Sequence, residues 1–164
     1  MTLATHIVIA GAIAKPLMAL NPIFAFLAAI ATHYLADAIP HWDYDLGSLE
    51  ERDNNEKQRW NFSRGSLAGD LAHAALDGLL GSAFLFVIFP PTSLDIFYWI
   101  IVVIMGAVLP DFLQGLYFFR RPSWMRPIHD FHSLMHTKIK LGSYPLIGIP
   151  FQLTIFLFFL YFLI

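Results

Sequence analysis

The sequence predicts an all-α, polytopic membrane helical bundle of about five apolar helices, formed by a single domain over residues 1–164. Three observations predict it. Mean hydropathy is +0.61 with only 13% charged residues, outside the usual range of soluble domains. Apolar runs near the length that crosses a bilayer alternate with short polar connectors. The seven histidines and nine aspartates gather at the ends of those runs, most of them at helical spacing.

Taken in order, the first run, 2–14, carries His6 and is interrupted by Lys15-Pro16. It falls short of the roughly 20 residues a span needs and reads as an oblique or half-depth helix. It also lacks a basic leading segment and does not read as a cleavable signal. The second run, 22–39, holds His33-x3-Asp37 in its last turns, and Pro40 stops it, leaving His41 and Asp43 in the turn. A polar loop over 43–65 follows, dense in charge of both signs and read as solvated. The third run, 67–89, opens with Asp70, His73 and Asp77, and Pro90-Pro91-Thr92-Ser93 makes a tight turn after it. The fourth, 94–109, ends at Pro110-Asp111. An interfacial His-rich segment over 111–143 then carries the basic connector Arg120, Arg121, Arg126 and a helix with His129, Asp130, His132 and His136. The fifth run is 144–164.

Alternation up and down a membrane brings every His/Asp-bearing end to one face. Nearly all the lysines and arginines, among them Arg52, Lys57, Arg59, Arg64, Lys138 and Lys140, fall on that face, and only Lys15 falls on the other. By the positive-inside rule this face is cytoplasmic, with the N-terminus inside and the C-terminus outside. Trp42, Trp60, Trp99 and Trp124 lie near run ends, where interfacial aromatics gather.

Residues four apart on a helix stand about 40° apart around its axis, so each His-x3-Asp pair can present an imidazole and a carboxylate to one ion. Ionised side chains at membrane depth cost on the order of 2.5–3.5 kcal/mol each, and a divalent cation offsets that cost. With no cysteine, ligation is by N and O only, which suits zinc first, with manganese or iron as alternatives. The candidate ligands are His6, His33, Asp37, His41, His73, Asp77, Asp111, His132 and His136, giving a metal site at one membrane face. Asp43, Asp70, His129 and Asp130 stand in support, since bound imidazoles donate their other N–H to a carboxylate. One catalytic zinc takes about three protein ligands, so this many candidates imply two or three ions. The plainer alternatives are a histidine satisfied by the carboxylate of its own helix, and Asp111 as the N-cap of a following turn. Net charge of −2 argues against nucleic acid as a main partner.

Thr5-His6, Leu109-Pro110-Asp111, the paired histidines of His132-Ser133-Leu134-Met135-His136-Thr137 and the two His-x3-Asp helices resemble elements of the YdjM-like membrane-bound metal-dependent hydrolases of bacteria and archaea. His33-Tyr34-x2-Asp37 followed by Pro40-His41 is similar to the central metal motif of the zinc-dependent phospholipase C group. The order differs: in the membrane family a single His-x3-Asp follows the other motifs, whereas here two pairs come first. Ser133 stands where that family has an arginine. The phospholipase group also uses an N-terminal amine as ligand, which nothing at Met1 suggests.

The resemblance implies a phosphoric ester as substrate, such as a phospholipid headgroup, hydrolysed by metal-activated water with a carboxylate as base. Asp37, Asp77 and Asp111 would carry the catalytic centre, bridging or terminating the ions, while Arg120, Arg121 or Arg126 would hold phosphate. On this reading Asp37→Asn or His73→Ala abolishes metal binding. Two other classes compete: a metal transporter or metal-stabilised scaffold without catalysis, and a membrane di-iron oxidase. Ligands at one face rather than the bilayer midplane weigh against transport.

Overall fold

Prolines and polar caps set where the helices begin. In the computed structural model, which describes residues 1–44, 46–50, 59–60, 67–139 and 141–164, helix α1 is Leu3–Ala14, continued by a 3₁₀ turn Lys15–Leu17. Helix α2 (Pro22–Asp37) opens on a proline whose missing N–H costs nothing in the first turn, and the Asn21 side chain accepts the Ile23 N–H at 3.0 Å. Helices α3 (Leu67–Ile88), α4 (Leu94–Arg120), α5 (Arg126–Met135) and α6 (Pro145–Leu163) follow, with Ser93 capping α4 through the Ile96 N–H. A two-residue antiparallel pair joins β1 (Leu49–Glu50) to β2 (Arg59–Trp60). Of the polar loop expected over 43–65, Asp45 and residues 51–58 and 61–66 lie outside the described residues, and with them Arg52, Lys57 and Arg64. Lys140 lies outside them too.

Among the described residues there are thus six helices, and three of them, α3, α4 and α6, are long and apolar enough to cross a membrane. The expectation of about five apolar helices is met in part: α1 is short, as expected, α2 is also too short to span, and the His-rich segment forms a sixth helix of its own. The fourth run does not end at Leu109. Helix α4 runs on through Pro110 to Arg120, where Arg121 closes it in the left-handed conformation (φ 47°). Asp111 is therefore inside a helix and is not the N-cap of a new turn. Pro110 gives up one intrahelical bond, a loss a buried helix interior tolerates when neighbours supply other contacts.

Helix α1 is the centre of the bundle, packed against α2, α3, α4 and α6. Ile7, Val8, Leu85, Ile100 and Val103 are fully buried around it. Trp99 also lies in this core, 1% exposed and edge-on to Phe89, rather than at an interface. Close approach fixes the register. A Cβ on Gly81 would lie 2.6 Å from Ala4 Cα, and one on Gly106 would lie 2.7 Å from the Phe26 carbonyl oxygen and 2.8 Å from Ala29 Cβ. These contacts set α3 parallel to α1 and α4 parallel to α2, so the N-terminal ends of α1, α3 and α6 meet the C-terminal portions of α2 and α4 at one end of the bundle. Only 11% and 17% of the span windows of α3 and α6 are buried, so both present apolar faces outward, as lipid-facing helices do.

Candidate metal centre

At that shared end, α2 presents His33 and Asp37 one turn apart, both 1% exposed. Helix α4 brings Asp111 beside them and α5 brings His132. His33 Nε2 lies 3.2 Å from Asp37 Oδ2 and 3.5 Å from Asp111 Oδ1, while His132 Nε2 lies 3.3 and 3.6 Å from the same two oxygens. Four ligand atoms held about 2.0–2.1 Å from one ion at tetrahedral angles stand ~3.3–3.4 Å apart. The four imidazole–carboxylate distances are close to that spacing, and together the four side chains could hold a metal ion.

Hydrogen bonding decides which nitrogen faces inward. His33 Nδ1 lies 2.7 Å from the Ala107 carbonyl oxygen and donates to it, which turns Nε2 toward the two carboxylates. Without an ion Nε2 can carry a proton between them, and with one bound it is the nitrogen that would ligate. His33 Nε2 and Asp37 Oδ2 are buried without a hydrogen bond of regular geometry, a gap that an ion would fill. His41 is held in the same way, its Nδ1 donating to the Ile39 carbonyl at 2.7 Å.

Asp37 is shared by a second group, with His41 and His136, whose ligand atoms all lie within 4.8 Å of one another. Its Oδ1 faces away from the first set: His6 Nε2 lies 3.1 Å from it and His41 Nε2 4.0 Å. The His6 ring stacks on His33 with centroids 3.9 Å apart. Burial lowers the pKa of His136, keeping that imidazole neutral and ready to ligate around pH 7.

The residue that sequence reading missed is Met1. Its α-amino nitrogen lies 3.2 Å from Asp37 Oδ1 and 2.9 Å from Asp43 Oδ1. Burial works against its charge, but the carboxylates of Asp43, Asp37 and Asp111 outweigh it and hold the amine above its ordinary pKa. Asp43 gains in return. Burial alone would raise its carboxyl, yet the bond from His41 Nε2 at 3.1 Å and the Met1 ammonium hold it below the usual carboxylate range. The available signal was His6 itself: a site residue in the first turn of a helix places Met1 beside it.

Other expected residues sit elsewhere. His73 is exposed on α3, and Asp77 accepts the backbone N–H groups of Leu3 and Ala4, capping α1. Since Asp77 stands level with the first turn of α1, His73 lies a turn beyond that helix and has nothing of α1 to pack against. Asp70 accepts the N–H and hydroxyl of Ser48. His129 turns from its neighbours: Nδ1 bonds to Gln114 Oε1 at 2.9 Å and the ring stacks on Tyr117. Asp130 pairs with Arg126 at 3.6 Å on the surface, Arg120 is exposed, and Arg121 is half-buried. For His73→Ala, metal content measured by plasma mass spectrometry is now expected to equal that of the unsubstituted protein; a loss would return His73 to the site.

No protein family, curated protein or solved structure matches this chain.

Proposed function

We propose that this chain is a membrane-bound metal-dependent hydrolase of phosphoric esters, with a centre of two ions, zinc by preference, sharing Asp37. One observation carries the reading: two imidazoles and two carboxylates from α2, α4 and α5 bring their ligand atoms within 4.8 Å of one another, with His33 Nε2 and Asp37 Oδ2 buried and unpaired among them. The first ion would be held by His33, Asp37, Asp111 and His132, and the second by Asp37, His41 and His136, with His6 beside them. The donor set fits, since mixed imidazole and carboxylate ligation suits zinc, manganese and iron. The sequence resemblance adds the reaction class.

A bound divalent ion supplies a water that ionises near neutral pH and polarises a phosphoryl oxygen. The chain does the rest. Asp111 and Asp43 have side chains 37% and 44% exposed, whereas Asp37, His6 and His33 are sealed, so the centre opens between Asp111 and Asp43. Asp43, held ionised, is placed at that mouth to take a proton from water. A site fronting the cytoplasm, with positive charge on the same side, suits a phosphorylated lipid headgroup.

The test is turnover. Purified protein reconstituted with zinc is expected to release product from a short-chain glycerophosphodiester, to lose that activity with a chelator and to recover it on zinc addition. Tight zinc binding without turnover of phosphomono- or phosphodiesters would leave a metal-stabilised scaffold, and zinc flux in proteoliposomes would make it a transporter.

A further inference from the structure

Helices α3 and α6 both pack on α1 but scarcely on each other. The cleft left between them encloses about 290 Å³. Leu80 and Phe84 form one wall, Ile149, Leu153 and Phe156 the other, and Ala4 the floor. The Phe84 and Phe156 rings meet edge-on at 5.4 Å across it. Its other end changes character, being lined by Thr2, Thr5, Trp42 and Gln152.

That polar end adjoins the metal centre on two sides. Thr2 and Thr5 flank the stretch between Met1 and His6, and Trp42 lies between His41 and Asp43. Gln152 is the one amide in an otherwise apolar helix and is 6% exposed. Its Nε2 donates to Thr2 Oγ1 at 2.8 Å and reaches Thr5 Oγ1 at 3.4 Å, while its Oε1 has no partner. That unpartnered oxygen is buried, so Gln152 marks the end of the cleft that adjoins the centre without exposing a donor in this structure.

We infer that the cleft between α3 and α6 holds one acyl chain of a membrane phospholipid, its glycerol ester level with Gln152 and its phosphate at the metal centre. The inference rests on the hydrolase reading for the phosphate and on the cleft alone for the chain. Three features select a lipid tail over another occupant: the walls belong to the two helices most exposed to lipid, the cleft is apolar along its length, and it turns polar only beside the centre.

The experiment places the protein in nanodiscs doped with phosphatidylcholine carrying a mid-chain diazirine, irradiates, and maps adducts by peptide mass spectrometry. Adducts are expected to concentrate on Leu80, Phe84, Leu153 and Phe156 over Val87 and Leu157, which are exposed outside the cleft. Leu153→Trp, which fills it, is expected to reduce adducts at Leu80 and Phe84 about tenfold, and Leu157→Trp to leave them unchanged. Both positions are about half exposed (52% and 53%), so either variant should fold. Even labelling around the bundle, or labelling indifferent to Leu153→Trp, overturns the cleft even if the protein hydrolyses phosphoesters. Concentrated labelling without any turnover supports the cleft and removes the hydrolase reading.

Discussion

Asp37→Asn is expected to empty both metal positions at once. Each oxygen of this carboxylate faces a different set: Oδ2 turns to His33 and His132, Oδ1 to His6, His41 and the Met1 ammonium. An amide removes the charge shared by two ions and puts an NH₂ where one lone pair was needed. Changes to groups that merely support a bound metal weaken affinity about 10–100-fold, so loss of the shared ligand should exceed ~100-fold. The measurement is zinc stoichiometry by plasma mass spectrometry, beside competition with a chromophoric chelator. Asp111→Asn and His136→Ala provide the contrast, since each should weaken one position and spare the other. Wild-type stoichiometry in Asp37→Asn would end the shared-ligand reading. Removing one member of a buried ionic cluster commonly costs about 3–5 kcal/mol, so a melting curve of the same sample must accompany the metal assay.

The second large effect is expected from a single methyl group. Gly106 stands one turn before Pro110, on the face α4 turns to α2, and a Cβ there would press on Phe26 backbone and on Ala29. Neither neighbour can swing aside, so Gly106→Ala should force the helices apart. Overpacking of this kind costs about 1–3 kcal/mol. The displacement also pulls the Ala107 carbonyl from His33 Nδ1, the bond that aims Nε2 at the centre, so zinc affinity should fall with the melting temperature. Gly115 on the same helix is the control. A Cβ there meets nothing within 4 Å, and replacing a helical glycine by alanine gains about 0.5–1 kcal/mol. Opposite shifts in melting temperature for the two variants are the expected result. Equal shifts would mean that the approach of α2 and α4 does not position the site.

The apolar runs and the gathering of His33, Asp37, Asp111 and His132 at one end were legible in the sequence, because run length fixes a helix and alternation fixes which ends meet. Spacing alone could not separate the two His-x3-Asp pairs. It says that His73 and Asp77 share a face, but not that Asp77 is level with the first turn of α1, where bare N–H groups claim it. The same limit applies to His129, which shares a helix face with His132 by spacing yet is drawn to Gln114 and Tyr117. Pro110 reads locally as a helix end. Its helix continues because it is clamped by buried neighbours, which a local pattern does not contain. The Met1 amine carries no side-chain signature at all.

The unequal helix lengths have a consequence for how the centre is held together. Helix α3 begins ten residues before Asp77, α4 continues nine beyond Asp111, and α6 begins seven before Gln152. At 1.5 Å per residue these overhangs stand about 10–15 Å above the ligands, while α1 and α2 stop at their level. The space between these three helix ends is taken up by α5 and by the turn after α2, which bring His132, His41 and His136 down onto Asp37. The centre is thus assembled by segments that lie over the short helices and are held laterally by the long ones, so shortening α3, α4 or α6 from this end would loosen the ligands without touching one of them.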